Sequence, residues 1–298
     1  MTPILADAAP PPETPAHIRS SKAAMTQFTH QRLALPTGVE LDVLQSGDPL
    51  GPPILLLHGL SDSAPSMRPL MEALPPHVRA IAITQRGHGD SGKPAGPYAT
   101  DAFVADAAAA LDALGVRRTV VYGHSMGSLV AQRFAMRHPE RTAGLVLEGA
   151  FPSLSGNAAV QAWYEAEIAP MTAPMSPEAA RAFQESTLAR PVPPAFLDLV
   201  TNETQKLPVH AWKAILQGMM AEDCSAELRR LQVPALIIWG DQDAFVGRGD
   251  QDVLKTIPGS RLVVFEGAGH SPHWEDPEQV AGLIAMMMQA QRAVEAAR

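Results

Sequence analysis

Hydrophobic residues in this chain follow two patterns. The first is a series of short, continuous apolar runs: Pro53-Ile-Leu-Leu-Leu57, Val78-Arg-Ala-Ile-Ala-Ile-Thr84, Thr119–Tyr122, Ala143–Glu148, Val233–Trp239 and Ser260–Phe265. Strands covered on both faces read this way, because neither face meets water. The second pattern is helical spacing between the runs, in residues 65–74, in Asp101–Leu114, and in Leu129, Val130, Phe134 and Ala135. Thr100 is the expected cap and Gly115 the expected stop of the Asp101 helix. Strand alternating with helix predicts right-handed crossovers and a mostly parallel, doubly wound sheet, the α/β class. Ahead of it, Phe28–Leu35 and Glu40–Gln45 alternate apolar with polar residues around Pro36-Thr-Gly38, which predicts an antiparallel hairpin at a sheet edge.

From Pro152 to Arg230 the rhythm changes. Helical stretches follow one another without a strand, punctuated by Pro170, Pro174, Pro177, Pro191, Pro193, Pro194 and Pro208. Ser176 before Pro177 reads as a helix start. Residues 152–230 are therefore expected to form an inserted helical cap domain, with the core split into 25–151 and 231–298. Asp276, Pro277 and Gln279 open a closing helix. Residues 1–24, with three consecutive prolines and Asp7 in place of an apolar run, read as a flexible tail, and Met25 is an alternative start.

Composition narrows the function classes. The 298 residues carry a formal charge of -8, and 46% are hydrophobic. An acidic surface without a basic stripe repels phosphate backbones, so no nucleic-acid partner is expected. No run has the length of a membrane helix, so no membrane partner is expected and the cytoplasm is the default location. Cys224, the single cysteine, excludes an intrachain disulfide and reads as a packed thiol.

The candidate chemistry sits where strands end. Gly123-His-Ser-Met-Gly127 joins an apolar run directly to a helix, a turn so tight that a side chain at either glycine would clash. Ser125 is thereby exposed at a strand's carboxyl end. A serine hydroxyl is a weak nucleophile that needs a base, and the base needs a carboxylate to orient it. Asp243 follows the Trp239 strand and His270 follows the Phe265 strand, so parallel strands would deliver all three to one edge of the sheet. A metal reading of His270, His273 and Asp276 is disfavoured because Pro272 breaks the helix that such spacing needs; no metal and no cofactor are expected. In the cap, Trp163, Met171, Phe196, Trp212 and Met219 are candidates to line an apolar pocket, the competing reading of each being packing of cap on sheet.

His58-Gly59, Arg86-Gly-His-Gly-Asp-Ser91, Gly123-His-Ser-Met-Gly127, Gly240-Asp-Gln-Asp243 and Gly269-His-Ser-Pro272, taken together over residues 26–290, make the chain similar to α/β-hydrolase fold enzymes. The resemblance implies Ser125 as nucleophile, His270 as general base and Asp243 as orienting acid, in the family's order Ser, Asp, His. It implies an oxyanion hole from the backbone N–H groups of Leu60 and Met126. Glu148 is the alternative acid, since some members carry theirs after that strand. His58, His88 and His124 would be structural, and Arg86 and Asp90 would order their loop. Related dehalogenases and epoxide hydrolases use aspartate at the nucleophile position, so serine at 125 points to acyl transfer to water. The expected substrate is a small or medium carboxylic ester or lactone, handled by a monomer or homodimer. Carbon–carbon bond hydrolases and haloperoxidase-like perhydrolases are the alternatives, the former disfavoured by His124 where asparagine is common; a ligand-binding receptor of this fold with little turnover is the reading from another class.

Overall fold

The computed structural model describes residues 26–296. The expected tail at 1–24 and the question of a start at Met25 lie outside the described residues. The chain forms β1 (Phe28–Ala34), β2 (Glu40–Ser46), β3 (Pro53–Leu57), α1 (Arg68–Ala73), β4 (Arg79–Ile83), α2 (Thr100–Ala113), β5 (Thr119–His124), α3 (Met126–Arg137) and β6 (Thr142–Glu148). Between β6 and the next strand come α4 (Ala158–Trp163), continued by a π-helical turn at Tyr164–Ile168, then α5 (Pro177–Glu185), α6 (Pro194–Gln205) and α7 (Val209–Ala221). The chain closes with β7 (Ala235–Gly240), α8 (Arg248–Leu254), β8 (Arg261–Phe265), α9 (Pro272–Glu275) and α10 (Pro277–Ala296).

The strands make one eight-stranded sheet in the order β1-β2-β4-β3-β5-β6-β7-β8. β1 and β2 are the antiparallel pair, and β4 through β8 run parallel. Alternate residues of the central strands feed the two faces. Leu55, Leu57, Val121 and Leu147 join one core with α2, α3 and α7, while Ile54, Leu56, Val120 and Tyr122 join the other with α1 and α10. Burial on both faces is why these strands read as unbroken apolar runs.

Two local expectations, at Thr100 and at Pro272, are corrected. Thr100 is the first residue of α2 and is buried, while Ala99 holds the N-cap position, so no side chain caps that helix. α8 has no apolar stripe: only Gln251 and Leu254 are buried, and Asp250 accepts a hydrogen bond from the Gly247 amide at 3.0 Å to start it. Pro272 opens α9 rather than breaking a helix, because at the first helical position proline lacks only a donor that would be unpaired anyway. At α5 the Ser176 hydroxyl accepts from the Ala179 amide, as a cap followed by proline should.

Candidate active site

The turn between β5 and α3 leaves Ser125 in a conformation that non-glycine residues rarely hold, at φ 51° and ψ −118°. Such backbone costs about 1–3 kcal/mol and persists only where its surroundings enforce it. Here the Ser125 amide donates to the Glu148 carbonyl oxygen at 3.0 Å, tying the turn to the end of β6. The flanking glycines permit the packing. A Cβ at Gly123 would fall 2.2 Å from the Gly127 oxygen, and one at Gly127 would fall 2.3 Å from the Leu57 oxygen. Gly127→Ala is therefore expected to cost at least about 3 kcal/mol, while Gly282→Ala, with nothing within 4 Å, should be neutral or mildly stabilising. Thermal melts of the two variants beside the parent check this.

Asp243 and His270 arrive from the loops after β7 and β8. Asp243 Oδ2 lies 2.8 Å from His270 Nδ1, and the Asp243 side chain is fully buried. Its other oxygen accepts from the amides of Phe245 at 2.8 Å and Val246 at 3.1 Å, so the carboxylate cannot rotate away. With Nδ1–H donating to Asp243, His270 keeps a lone pair on Nε2. Gly149, at φ 51°, makes room for the ring: a Cβ there would fall 3.0 Å from His270 Nδ1. The His270 loop is also held from the helical segment. The His270 amide donates to the Thr187 oxygen at 2.8 Å, and the Arg190 guanidinium donates to the Gly267 and Glu266 carbonyls.

Ser125 and His270 open on one cavity of about 320 Å³, whose wall also includes Gly59, Leu60, Asp62 and Trp274. Leu60 follows β3 and Met126 opens α3, and the contact of Gly127 with the Leu57 and His58 oxygens brings these two segments together.

A family model described as the alpha/beta hydrolase fold matches residues 52–277. The chain belongs to the alpha/beta hydrolase fold family. A hydrolase from Pseudomonas aeruginosa has a structure that superposes with a TM-score of 0.77 at 26% identity, covering 87% of this chain and 98% of that one. An esterase from a Rhodococcus species superposes at 0.75 with 25% identity, over 88% and 99% of the two chains. In sequence, 3-oxoadipate enol-lactonase 2 of Acinetobacter baylyi is 27% identical over 210 residues, 70% of this chain and 78% of that protein.

Within this hydrolase fold, Glu148 does not meet His270. Its Oε1 lies 2.6 Å from His273 Nδ1 and accepts the His273 amide at 2.9 Å, both side chains being completely buried. His270, His273 and Asp276 thus point to three different partners, since Asp276 accepts from the Gln279 amide. Among the described residues, no group of three or more His, Cys, Asp or Glu side chains is arranged to hold a metal ion.

The pocket candidates divide. Trp163 and Met219 line the cavity; Met171, Phe196 and Trp212 do not. Trp212 is wholly buried under Phe183, whose ring stands edge-on to it at 5.7 Å. Phe196 packs edge-on against Trp274 at 5.4 Å, and Met171 packs against the main core. Spacing alone does not say which face of a helix within residues 152–230 meets the cavity. Phe245, Gln184 and Asp62 were not singled out from the sequence yet all line it. For Phe245 the signal was available: it lies two residues beyond Asp243, and its ring sits 5.0 Å from that of His270.

The other histidines of the hydrolase motifs are hydrogen-bonded core residues. His58 donates from Nδ1 to the Gly59 oxygen and accepts the Gln85 amide on Nε2, and His124 Nε2 lies 3.0 Å from the His270 carbonyl. Arg86 makes a two-pronged pair with Asp106, both contacts at 2.7 Å, and Asp90 pairs with Lys206. Burial lowers His58 and His124 well below the usual histidine range and His88 to about 4. The unfolded chain therefore takes up protons first, and stability must fall as pH drops below about 6.5. Asp62, raised to about 6 by burial, acts oppositely over the range between 3.8 and that value. Denaturant unfolding at pH 7 and pH 5 should show the loss, up to about 1.4 kcal/mol per pH unit for each histidine.

Proposed function

We propose that this chain is a serine hydrolase that cleaves carboxylic esters or lactones of small to medium size. The observation that carries this reading is the 2.8 Å Asp243–His270 pair opening on the same cavity as Ser125 in its strained turn. Ser125 Oγ attacks the carbonyl carbon as its proton passes to His270 Nε2, and Asp243 steadies the resulting imidazolium. The oxyanion accepts hydrogen bonds from the amides of Leu60 and Met126, each worth ~3 kcal/mol in the transition state. The C–O bond breaks and the alcohol leaves with the proton from His270. His270 then deprotonates water, which attacks the acyl-enzyme and releases the acid and Ser125.

Residues 152–230 act as a cap in this scheme. Asn157, Val160, Trp163, Phe183 and Met219 from that segment form cavity wall opposite the sheet, which suits a compact acyl group with an apolar body. The enol-lactonase and the esterase among the similar proteins support the ester or lactone class. Acid release in a pH-stat from a panel of short and medium esters and lactones tests the reading. Release from none of them would move carbon–carbon bond hydrolysis, perhydrolysis or ligand binding ahead. Among the described residues no helix is long and apolar enough to cross a membrane.

A further inference from the structure

Asp62 has no step in the acyl-transfer scheme, yet its carboxylate lies on the cavity wall and is almost completely buried. It cannot swing out. Gln184 Nε2, from α5, donates to Asp62 Oδ1 at 3.1 Å and to Thr204 Oγ1 at 2.7 Å, so α5 and α6 grip the loop after β3 through this amide. Asp62 Oδ2 lies 3.9 Å from Nδ1 of His124, a nitrogen with no hydrogen-bond partner. His124 is held neutral by burial and by the neighbouring histidines. Among the described residues, the acidic and basic side chains on the wall are Asp62, His124 and His270, with no lysine or arginine. Arg86 and Arg190 are engaged elsewhere, Arg86 by Asp106 and Arg190 by the Glu266 and Gly267 carbonyls. Phe151, Leu154, Val160, Trp163 and Met219 supply an apolar surround.

We propose that Asp62 is a specificity-determining residue that restricts this site to uncharged substrates and excludes those carrying a carboxylate beyond the scissile carbonyl. A carboxylate entering the cavity gives up its water without gaining a cation. It also meets a fixed negative charge of like sign. Asp62 itself records the first effect, since burial is the main cause that raises its carboxyl to about 6. That these ligands are hydrolysed rests on the serine hydrolase reading; the selectivity for uncharged ligands does not.

Trp163 and Trp274 line the cavity, so ligand binding can be followed by tryptophan fluorescence without turnover. The test uses the full chain carrying Ser125→Ala at pH 8, titrated with methyl hexanoate and with monomethyl adipate, which differ only by a terminal methyl in place of a carboxylate. Methyl hexanoate is expected to bind at least about tenfold more tightly. Adding Asp62→Asn, which keeps an oxygen for Gln184, is expected to narrow that ratio at least about threefold by strengthening binding of the anion. A ratio below tenfold in the parent, no binding of methyl hexanoate, or a ratio unmoved by Asp62→Asn overturns the proposal. If the asparagine variant does not fold, the parent is titrated with methyl 6-aminohexanoate, whose ammonium group must bind more tightly than the carboxylate of monomethyl adipate; equal or weaker binding of the cation overturns the role of Asp62. Methyl hexanoate that binds tightly and selectively but is not hydrolysed by the unsubstituted chain upholds the role of Asp62 and removes the esterase reading.

Discussion

Ser125→Ala is expected to reduce acid release from the best ester or lactone by about 10⁴-fold or more, with little change in the melting temperature. The size follows from the division of labour at the site. In the proposed scheme no acyl-enzyme would form without the hydroxyl, and what would be left is the modest acceleration that the proposed oxyanion amides and substrate binding provide to direct attack by water. The fold should not suffer, because the side chain of Ser125 opens on the cavity while its backbone hydrogen bonds, to the Glu148 oxygen and from the Ser128 amide, remain. Alanine must still hold φ 51°, a strain that serine already bears. A pH-stat comparison of purified parent and variant, with a thermal melt of each, checks both halves. Residual release above about a tenth of the parent rate would assign the nucleophile elsewhere.

Asp243→Asn and Glu148→Ala should separate the two acids by opposite effects. Asp243→Asn is expected to lower kcat by roughly 10³–10⁴-fold with the fold intact. Asparagine can still accept the Phe245 and Val246 amides, but its NH₂ group faces His270 Nδ1 and favours the wrong tautomer of the base. Glu148→Ala should leave kcat within about tenfold of the parent and cost about 3–5 kcal/mol of stability, because it strands the buried His273 ring and amide without an acceptor. Steady-state kinetics and denaturant unfolding of both variants measure the split. If Glu148→Ala abolished turnover while Asp243→Asn spared it, the acid would lie at the end of β6.

These two carboxylates also show where sequence reasoning stops. Glu148 ends one strand of the parallel sheet and Asp243 follows the next, so both were bound to reach the same edge, and Ser125, His270 and Leu60 with them. Which carboxylate met which histidine depended on the paths of two loops. Pro272 starts α9 instead of disrupting a helix, and the short helix turns His273 inward to Glu148 while leaving His270 to Asp243. The aromatics of residues 152–230 are a parallel case. Trp163 and Trp212 both fit a helical apolar pattern, but Phe183 lies between the cavity and Trp212, leaving Trp212 in the core. Asp62 belongs with these. Its neighbours Gly59 and Ser61 gave no sign that a glutamine more than a hundred residues later would fix its carboxylate on the cavity wall.

By itself the sequence determined the sheet, its hairpin edge, the helical segment between β6 and β7, and the strong turn at Ser125. Those features depend on local periodicity and on glycines where backbone meets backbone, and both are written in consecutive residues. Tertiary structure alone decided the pairing of Glu148 with His273, the face each helix of residues 152–230 turns to the cavity, and the charge on its wall. Such pairings depend on distances across the fold, between residues that neither spacing nor composition connects.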